Sequence, residues 1–412
     1  MIVMDTHIAP DPSLRSADCA QRLSAISARL NRWLLEEAFP LWWSKGADHT
    51  LGGFHERLRQ DGQATNEPRR ARLHPRHIYA FGFADDLGHD GMTELAVRHG
   101  LDYFLRYYVR PDGFIRGRVA PDGTVIDDGF ILYDQAFALL GYAAAFDALN
   151  DDTLRDRAHK LLAALHEQLA NPAGGFRESP TNDALLTSNS HMHLLEAALA
   201  WMALDHEPQW RELAAHIVAL AISRFVDPES GQLREFFVAD WQPAPSVQGR
   251  IVEPGHQFEW AWLLLRWSAQ SHDQRAVDLA LSLIALCEAR GVDGVRDVAV
   301  NSMLTDGAVH DPRARLWQQT ERLKAACVAW EMTRLPHYCD IAQRSANALE
   351  RYLQTPVRGL WYDTMGVDGK CADEPAPASS FYHIVAALAE LNGTINRIAP
   401  TGSPAQGSPA QS

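Results

Sequence analysis

Histidine and glutamate recur at the same spacing in two parts of this sequence, and both groups can move protons near neutral pH. His256 and Glu259 stand three residues apart in EPGHQFEWAWLLLR, and His193 and Glu196 repeat that spacing in SNSHMHLLEAALAW. Residues three apart share one face of a helix, so each pair can act on one bound molecule. His383 opens the similar stretch SSFYHIVAALAEL without the glutamate. This repetition favours a site for proton transfer over isolated capping or surface residues.

Each of these histidines stands at the start of an apolar stretch with helical spacing. Such stretches recur along the whole chain, and the loops between them alternate between long and short. The sequence predicts twelve helices, near residues 16–37, 75–88, 93–109, 132–149, 152–169, 190–204, 209–224, 256–271, 274–291, 316–334, 336–352 and 379–392.

A glycine followed by an apolar residue recurs in the long loops, in near-equal steps of about 60 residues, a period that suits two helices and a small hairpin. These glycines are Gly53, Gly113, Gly175, Gly231, Gly294 and Gly359. One helix of each pair is nearly apolar all round, as in AFALLGYAAAF, which predicts an inner ring inside an outer ring. We therefore predict an all-α fold, an (α/α)6 barrel of six helix pairs with short β-hairpins in the long loops.

The predicted barrel is a single catalytic domain over residues 16–398. A flexible arm is expected over residues 1–15. The segment 399–412 contains GSPAQ twice and is predicted to be a disordered tail, because Pro/Gly/Ser-rich repeats cannot build a core.

In such a barrel the inner helices all begin at one mouth, so residues at their starts converge. Besides the three histidines and Glu259, this places Arg76, Asn189 and Trp317 at the mouth, with Tyr133, Asp134 and Gln135 at the start of the fourth helix. Six positive helix ends aimed at one cavity would stabilise a negatively charged intermediate.

Metal binding is one alternative, because His191 and His193 resemble a ligand pair. Residues two apart face away from each other on a helix, and no His-x-x-x-His or paired cysteine completes a tetrahedral set. We therefore expect no metal and no cofactor, with His191 capping or packing. The sequence also contains no Gly-rich phosphate loop.

Glycoside hydrolysis is the alternative from a different class, since it needs two carboxylates flanking the scissile bond. The mouth offers Asp127, Asp128, Asp134, Glu259 and Glu321. Three converging histidines are not needed for that reaction. They suit moving a proton to and from a carbon next to a carbonyl, where an enediolate forms.

Composition limits the partners and the location. The formal net charge of −14 makes a nucleic acid or an anionic membrane an unsuitable partner. No stretch reaches the roughly 18 apolar residues of a membrane helix, and the N-terminal residues lack a basic start followed by an apolar run. The five cysteines are widely spread without a Cys-x-x-Cys, which predicts reduced thiols in a cytoplasmic protein. We expect a small-molecule substrate rather than a nucleic acid or a membrane, and a monomer or homodimer.

The sequence resembles the N-acylglucosamine 2-epimerase superfamily, and within it the D-mannose isomerase branch. The matching stretches are PRHIYAFG (75–82), SNSHMHLLEA (188–197), EPGHQFEWAWLL (253–264), RLWQQTERLKAA (315–326) and SSFYHIVAAL (379–388). The resemblance implies an α/α six-barrel and metal-free proton transfer on a sugar. The active-site set carried over by position is Arg76, Asn189, His193, His256, Glu259, Trp317 and His383, to which we add Tyr133, Glu196 and Glu321 as substrate-binding residues.

The resemblance also implies a role for each histidine. His383 would remove the proton from C2 of the open-chain aldose, and in an isomerase the proton returns to C1. His256 would serve ring opening or, in an epimerase, proton transfer on the opposite sugar face, with Glu259 tuning it. Arg76 and His193 would hold the sugar oxygens and the developing charge.

The implied activity is the interconversion of D-mannose and D-fructose, with D-lyxose and D-xylulose as a second pair. A sugar 2-epimerase acting on a mannose/glucose, N-acylhexosamine or cellobiose-type substrate is the alternative within the family. A sulfoquinovose isomerase would need cationic groups for the sulfonate, which sequence positions alone do not place.

Overall fold

The computed structural model of this chain describes residues 12–181 and 185–398. Its α-helices, numbered in chain order, are α1 Pro12–Trp33, α2 Phe39–Leu41, α3 Leu73–Gly82, α4 Thr93–Tyr107, α5 Leu132–Leu149, α6 Asp152–Leu169, α7 Ser188–Leu204, α8 Pro208–Leu220, α9 Pro254–Ser271, α10 Gln274–Arg290, α11 Leu316–Thr333, α12 Pro336–Tyr352 and α13 Ser380–Ile398.

Six of these helices form a closed inner ring, in which α3, α5, α7, α9, α11 and α13 each contact the next and α13 returns to α3. The helices α1, α4, α6, α8, α10 and α12 pack outside this ring. The inner helices are buried on nearly all sides, as their apolar sequences predict. The predicted (α/α)6 barrel is confirmed.

The start of the chain differs from the prediction. Helix α1 begins at Pro12, inside the stretch predicted as an arm, and the helical path continues past Trp33 through π-helical segments and α2 as far as Gly46. The rest of the predicted arm, residues 1–11, and the predicted tail, residues 399–412, lie outside the described residues.

Short antiparallel strands join the long loops to one another around the mouth. Strand pairs link successive loops, such as β2 with β3 and β5 with β6, and β1 pairs with β14 so that the last loop returns to the first. The strands are β1 Arg57–Leu58, β2 Arg69–Arg70, β3 Arg118–Val119, β4 Val125–Asp127, β5 Leu186–Thr187, β6 Phe236–Phe237, β7 Ile251–Val252, β8 Val292–Asp293, β9 Val298–Ala299, β10 Ser302–Leu304, β11 Val309–Asp311, β12 Ala314–Arg315, β13 Thr364–Met365 and β14 Ala376–Pro377. The prediction of hairpins within each loop missed these links between loops.

A repeated hydrogen bond ties the glycine turns to the inner helices. In five repeats a backbone N–H just after the turn donates to a buried side chain in the first turns of the next inner helix. The pairs are Phe54 to His74, Ile115 to Gln135, Phe176 to His191, Leu233 to Gln257 and Ala299 to Gln319, at 2.8–3.2 Å. Burial lowers the pKa of His191 to about 4, so this histidine is a neutral structural anchor, as its predicted packing role requires.

The fifth turn departs from the glycine pattern. Gly53, Gly113, Gly175, Gly231 and Gly359 all have a positive φ, which glycine adopts without steric cost. In the fifth loop Asp297 takes the positive φ, at 52°, and Gly294 does not.

The prediction that all cysteines are reduced thiols is wrong for one pair. Cys19 in α1 forms a disulfide with Cys339 in α12. Cys287 and Cys327 are buried free thiols, and Cys371 is a half-buried one. The disulfide links the first and last outer helices, which sequence spacing could not reveal because 320 residues separate the two cysteines. In the described part of the chain, no helix is both long enough and apolar enough to span a bilayer.

Candidate active site

A cavity of about 280 Å³ opens at the mouth where the inner helices begin. Eight of the predicted site residues line it: Arg76, Tyr133, Asn189, His193, His256, Glu259, Trp317 and His383. Six further residues that were not predicted also line it: Arg70, Arg72, Glu253, Arg315, Ser379 and Ser380.

The helix starts explain this convergence. Each predicted lining residue lies in the first two turns of an inner helix, as His256 does in α9 and Trp317 in α11. Pro254 stands at the first position of α9, where its missing N–H costs no helical hydrogen bond. A Cβ on Gly255 would lie 2.7 Å from the Trp317 ring and from Gln318, so glycine at this position permits the close approach of α9 and α11.

His256 is held as an imidazolium by two carboxylates. Its Nδ1 lies 2.9 Å from Glu235 and 3.5 Å from Glu253. Burial by itself would lower the pKa of His256, but the charges of Glu235 and Glu253 outweigh burial and raise this pKa to about 10. Glu259, predicted to tune His256, contributes a smaller charge effect behind these two carboxylates.

His383 is held in the opposite state. Its Nδ1 lies 2.8 Å from Glu321, whose other oxygen is 2.7 Å from the Lys324 ammonium. Burial raises the pKa of Glu321, but the adjacent ammonium opposes that shift and favours a carboxylate that accepts the Nδ1 proton. Burial, reinforced by the charges of Arg76 and Lys324, holds the pKa of His383 well below its usual value. Its Nε2 is therefore an unprotonated base.

His193 is a neutral hydrogen-bonding group. Its Nδ1 lies 3.0 Å from Glu196, and the Tyr382 hydroxyl donates to the other oxygen of that carboxylate. Burial lowers the pKa of His193 to about 4 although Glu196 opposes the shift. Glu196 therefore fixes the orientation of the His193 ring rather than its charge.

Some buried polar atoms of residues that line the cavity have no hydrogen-bond partner among the described residues. They include both carboxyl oxygens of Glu259, the Oδ1 of Asn189 and the Nε of Arg76. Burial, reinforced by the nearby carboxylates Glu321 and Glu196 and opposed by Lys324, raises the pKa of Glu259 well above its usual value, which favours its protonated form. Unpaired buried polar atoms are costly, and a ligand with several hydroxyl groups would satisfy them.

Arg76 and Trp317 shape the space between the histidines. Arg76 donates to the Tyr133 hydroxyl at 2.6 Å, so its guanidinium has a fixed direction. The centroid of the Trp317 ring lies 5.0 Å from that of His256 and 5.6 Å from that of His383. Both histidines are therefore in contact with one indole ring.

Lys324 supplies the positive charge beneath the cavity. Its buried ammonium pairs with Glu321 and lies 3.7 Å from the Trp262 ring centroid. Burial alone would lower the pKa of Lys324, but Glu321, Glu259 and Glu196 outweigh it and raise this pKa. The lysine therefore stays charged and balances part of the buried negative charge.

Within residues 12–181 and 185–398, two trios of groups are close enough to share a metal ion, with ligand atoms within 4.8 Å of one another. They are His193 with Glu196 and Glu259, and Glu259 with Glu321 and His383. The Lys324 ammonium already provides a cation at this cluster, 2.7 Å from Glu321. The expectation of a metal-free site stays a prediction.

Several predicted residues lie elsewhere. Glu196 and Glu321, predicted to contact substrate, lie behind His193 and His383 rather than in the cavity wall. Asp127 and Asp128 are exposed and outside the cavity, and Asp134 is a buried partner of Arg72 at 2.8 Å. Of the five carboxylates proposed for hydrolysis, Glu259 alone lines the cavity.

Some of the cavity-lining residues that were not predicted could have been found from the sequence. Glu253, Arg315 and Ser379 each begin one of the stretches that carry the family resemblance. Lys324, behind the cavity wall, lies within such a stretch as a buried charged residue of α11. Glu235 follows a glycine turn, and no spacing links it to His256, so only the fold could bring the two together.

The comparisons with known proteins show the family and the fold of this chain. The model of the N-acylglucosamine 2-epimerase (GlcNAc 2-epimerase) family matches residues 52–387. A Rhizobium meliloti protein named mannose-6-phosphate isomerase is 44% identical over 379 residues, covering 90% of this chain and 98% of that protein. A Marinomonas mediterranea protein named D-mannose isomerase is 24% identical over 369 residues, covering 84% of this chain and 92% of that protein. A crystal structure of D-mannose isomerase has a TM-score of 0.82 at 21% identity, covering 90% of this chain and 98% of that chain, which shows the shared fold.

Proposed function

This chain belongs to the N-acylglucosamine 2-epimerase family, and we propose that it is an aldose–ketose isomerase that interconverts D-mannose and D-fructose, with D-lyxose as a second aldose. Two relatives that cover most of its length are named as isomerases of mannose or of its phosphate. Both names refer to mannose, and the first of them adds a phosphate at C6.

The observation that carries the proposal is that His256 and His383 both lie against the Trp317 ring but have different partners, since His256 is paired with two carboxylates and His383 with a single one, Glu321, next to the Lys324 ammonium. Isomerisation through an enediolate needs a base at carbon and an acid at the neighbouring oxygen in the same complex. A neutral His383 and a protonated His256 provide both at neutral pH. Among the described residues the cavity wall carries two carboxyl groups, but Glu253 is paired with His256 at 3.5 Å and burial raises the pKa of Glu259 well above its usual value, so hydrolysis is the less favoured reaction.

In the proposed reaction, His383 Nε2 takes the proton from C2 of the open-chain aldose. The electron pair of that C–H bond forms the C1–C2 double bond, and the carbonyl oxygen O1 accepts a proton from His256. His383 then returns its proton to C1 while the O2 proton passes to His256, which gives the ketose and restores both histidines. Arg76 and the helix ends would stabilise negative charge on the sugar oxygens during these steps.

The remaining residues would bind or orient. Asn189, the protonated Glu259, Tyr133 and His193 would hydrogen-bond the sugar hydroxyls, and Trp317 would pack against the sugar face. Glu321 would fix the His383 ring with Nε2 free, and Glu196 would fix His193 in the same way.

Incubation of EDTA-treated protein with D-mannose in deuterated water, followed by NMR, tests the proposal. We expect fructose, with deuterium at C1 to the extent that His383 exchanges with solvent. Glucose deuterated at C2 would instead identify a 2-epimerase. His383→Ala should lose activity at least about 100-fold, the usual scale for a positioned base, whereas His206→Gln at an exposed histidine should not.

We also propose a cytoplasmic location and a monomeric or homodimeric state. Three of the five cysteines are free thiols, which suits a reducing compartment, whereas the Cys19–Cys339 disulfide suits an oxidising one. Trapping thiols at cell lysis and measuring the protein mass would show which state exists in the cell. Size-exclusion chromatography with light scattering would give the number of subunits.

A further inference from the structure

A second cavity of about 400 Å³ adjoins the candidate active site at its outer edge. Arg70, Arg315 and Ser379 line both cavities, so the two spaces share a wall. Arg57 and Arg313 complete a set of four arginines around the second cavity. Two carboxylates, Asp363 and Glu374, also line this cavity, so its lining carries four cationic and two anionic side chains, whereas the whole chain has a formal net charge of −14.

Each of the two shared arginines forms an ion pair with a carboxylate. Arg70 contacts Glu56 through Nε and Nη2, and Arg315 contacts Asp363 through the same two groups at 2.9–3.0 Å. The carboxylates are mostly buried, with Glu56 3% and Asp363 10% exposed, whereas the arginines are 38% and 42% exposed. Both ion pairs leave Nη1 of the arginine outside the pair. Each guanidinium is therefore oriented in advance, with donors left for a ligand.

We propose that this second cavity is an anion subsite that binds a phosphate monoester or sulfonate at C6 of the aldose. The inference rests on the proposed function, because the reacting C1–C2 end is assigned to His383 and His256 in the first cavity. Because Arg70, Arg315 and Ser379 line both cavities, the proposal places the far end of a six-carbon chain at this shared wall. Fixed arginines are the side chains best suited to an oxyanion with several acceptor oxygens.

The test compares kcat/KM for D-mannose, D-mannose 6-phosphate and a 6-deoxy-6-sulfo aldose in the wild type and in Arg70→Gln and Arg315→Gln. We expect a strong preference for an anionic sugar. Each substitution should lower the ratio of anionic to neutral kcat/KM by about 10- to 100-fold, the effect of losing one charge-assisted contact.

Two further variants make the comparison specific. Arg250→Gln removes an arginine of similar exposure, 46%, that pairs with Asp306 and lines neither cavity, and it should leave the ratio unchanged. Arg315→Lys keeps the charge but loses the planar guanidinium, and its ratio should lie between those of the wild type and Arg315→Gln.

The outcomes separate the two proposals. Preference for the phosphate or for the sulfonate identifies the anion, and both support the subsite. Equal use of neutral and anionic sugars, with ratios insensitive to Arg70→Gln and Arg315→Gln, overturns the subsite and leaves the isomerase standing. If no sugar is converted, the proposed function fails. Calorimetric titration with mannose 6-phosphate then decides, because binding weakened by Arg315→Gln supports the subsite and absent binding overturns it.

Discussion

At the scale of single residues, the site is defined by the charge around each histidine more than by the histidines themselves. His193, His256 and His383 are all buried and would all be neutral if burial alone acted. His256 differs because two carboxylates lie within 3.5 Å of its Nδ1. The division into one acid and one base therefore depends on Glu235 and Glu253.

Glu235→Gln should move the alkaline limit of activity to lower pH. His256 must be protonated to act as the acid, and Glu235 helps to raise its pKa to about 10. Without that charge the imidazolium is lost at a lower pH, so kcat/KM should fall within the range from neutral pH to pH 10. A pH profile of kcat/KM measures this, and Glu229→Gln, at an exposed glutamate of the same loop, should keep the wild-type profile.

Lys324→Met should raise the acidic limit of activity and destabilise the fold. Lys324 lowers the pKa of His383, so its loss raises that pKa and requires a higher pH to free the base. It also leaves Glu321 without its cation, and breaking a buried pair costs about 3–5 kcal/mol. The pH profile and thermal unfolding measure the two effects. Lys370→Met, at a side chain that is 85% exposed, should change neither.

At the scale of elements, one repeated hydrogen bond links each of five turns to the next inner helix. This bond explains how short strands and turns can fix the geometry of the barrel mouth. Gln135, His191 and Gln319 each accept the turn N–H and donate to the carbonyl four residues earlier in their own helix. Histidine and glutamine thus perform the same task in different repeats. These hydrogen bonds connect each turn directly to the helix start that carries the site residues.

This equivalence predicts the effect of two substitutions at His191. His191→Gln supplies both an acceptor and a donor, as Gln135 does, and should change stability little. His191→Leu leaves the buried Phe176 N–H and the Thr187 carbonyl without that side-chain partner and should cost about 1–3 kcal/mol for each group. Chemical denaturation of both variants measures this, and equal losses would contradict the anchor role.

At the scale of the whole molecule, both the ring of inner helices and the ring of loops are closed. The inner ring closes through contact of α13 with α3, and the loops close through the pairing of β1 with β14. The disulfide between Cys19 and Cys339 adds a covalent link between the first and last outer helices. The two ends of the described chain are therefore held to the same side of the barrel.

Reduction of this disulfide, or Cys19→Ser, should lower the free energy of unfolding by about 2–4 kcal/mol, because the bond restricts the unfolded chain across a long loop. The site lies on other helices, so kcat/KM at moderate temperature should stay near its original value. Thermal unfolding with and without reductant measures the effect. Cys371→Ser, at a free thiol, should remain sensitive to reductant, whereas Cys19→Ser should not.

The sequence by itself determined the barrel and most of the cavity wall. Helical periodicity and the glycine repeat are local signals, so they predicted six helix pairs and placed residues such as Arg76, His256 and His383 at one mouth. Eight of the ten predicted site residues line the cavity, because the inner helices all begin at one mouth and the inward-facing side chains of their first two turns meet there.

Only the tertiary structure decided which charge stands next to which histidine. Glu235 reaches His256 from a neighbouring loop, and Glu321 reaches His383 from the neighbouring inner helix. The same holds for the Cys19–Cys339 disulfide and for the arginines shared by the two cavities. A pKa, a disulfide and a subsite each depend on distances between segments remote in sequence, and no local pattern records such distances.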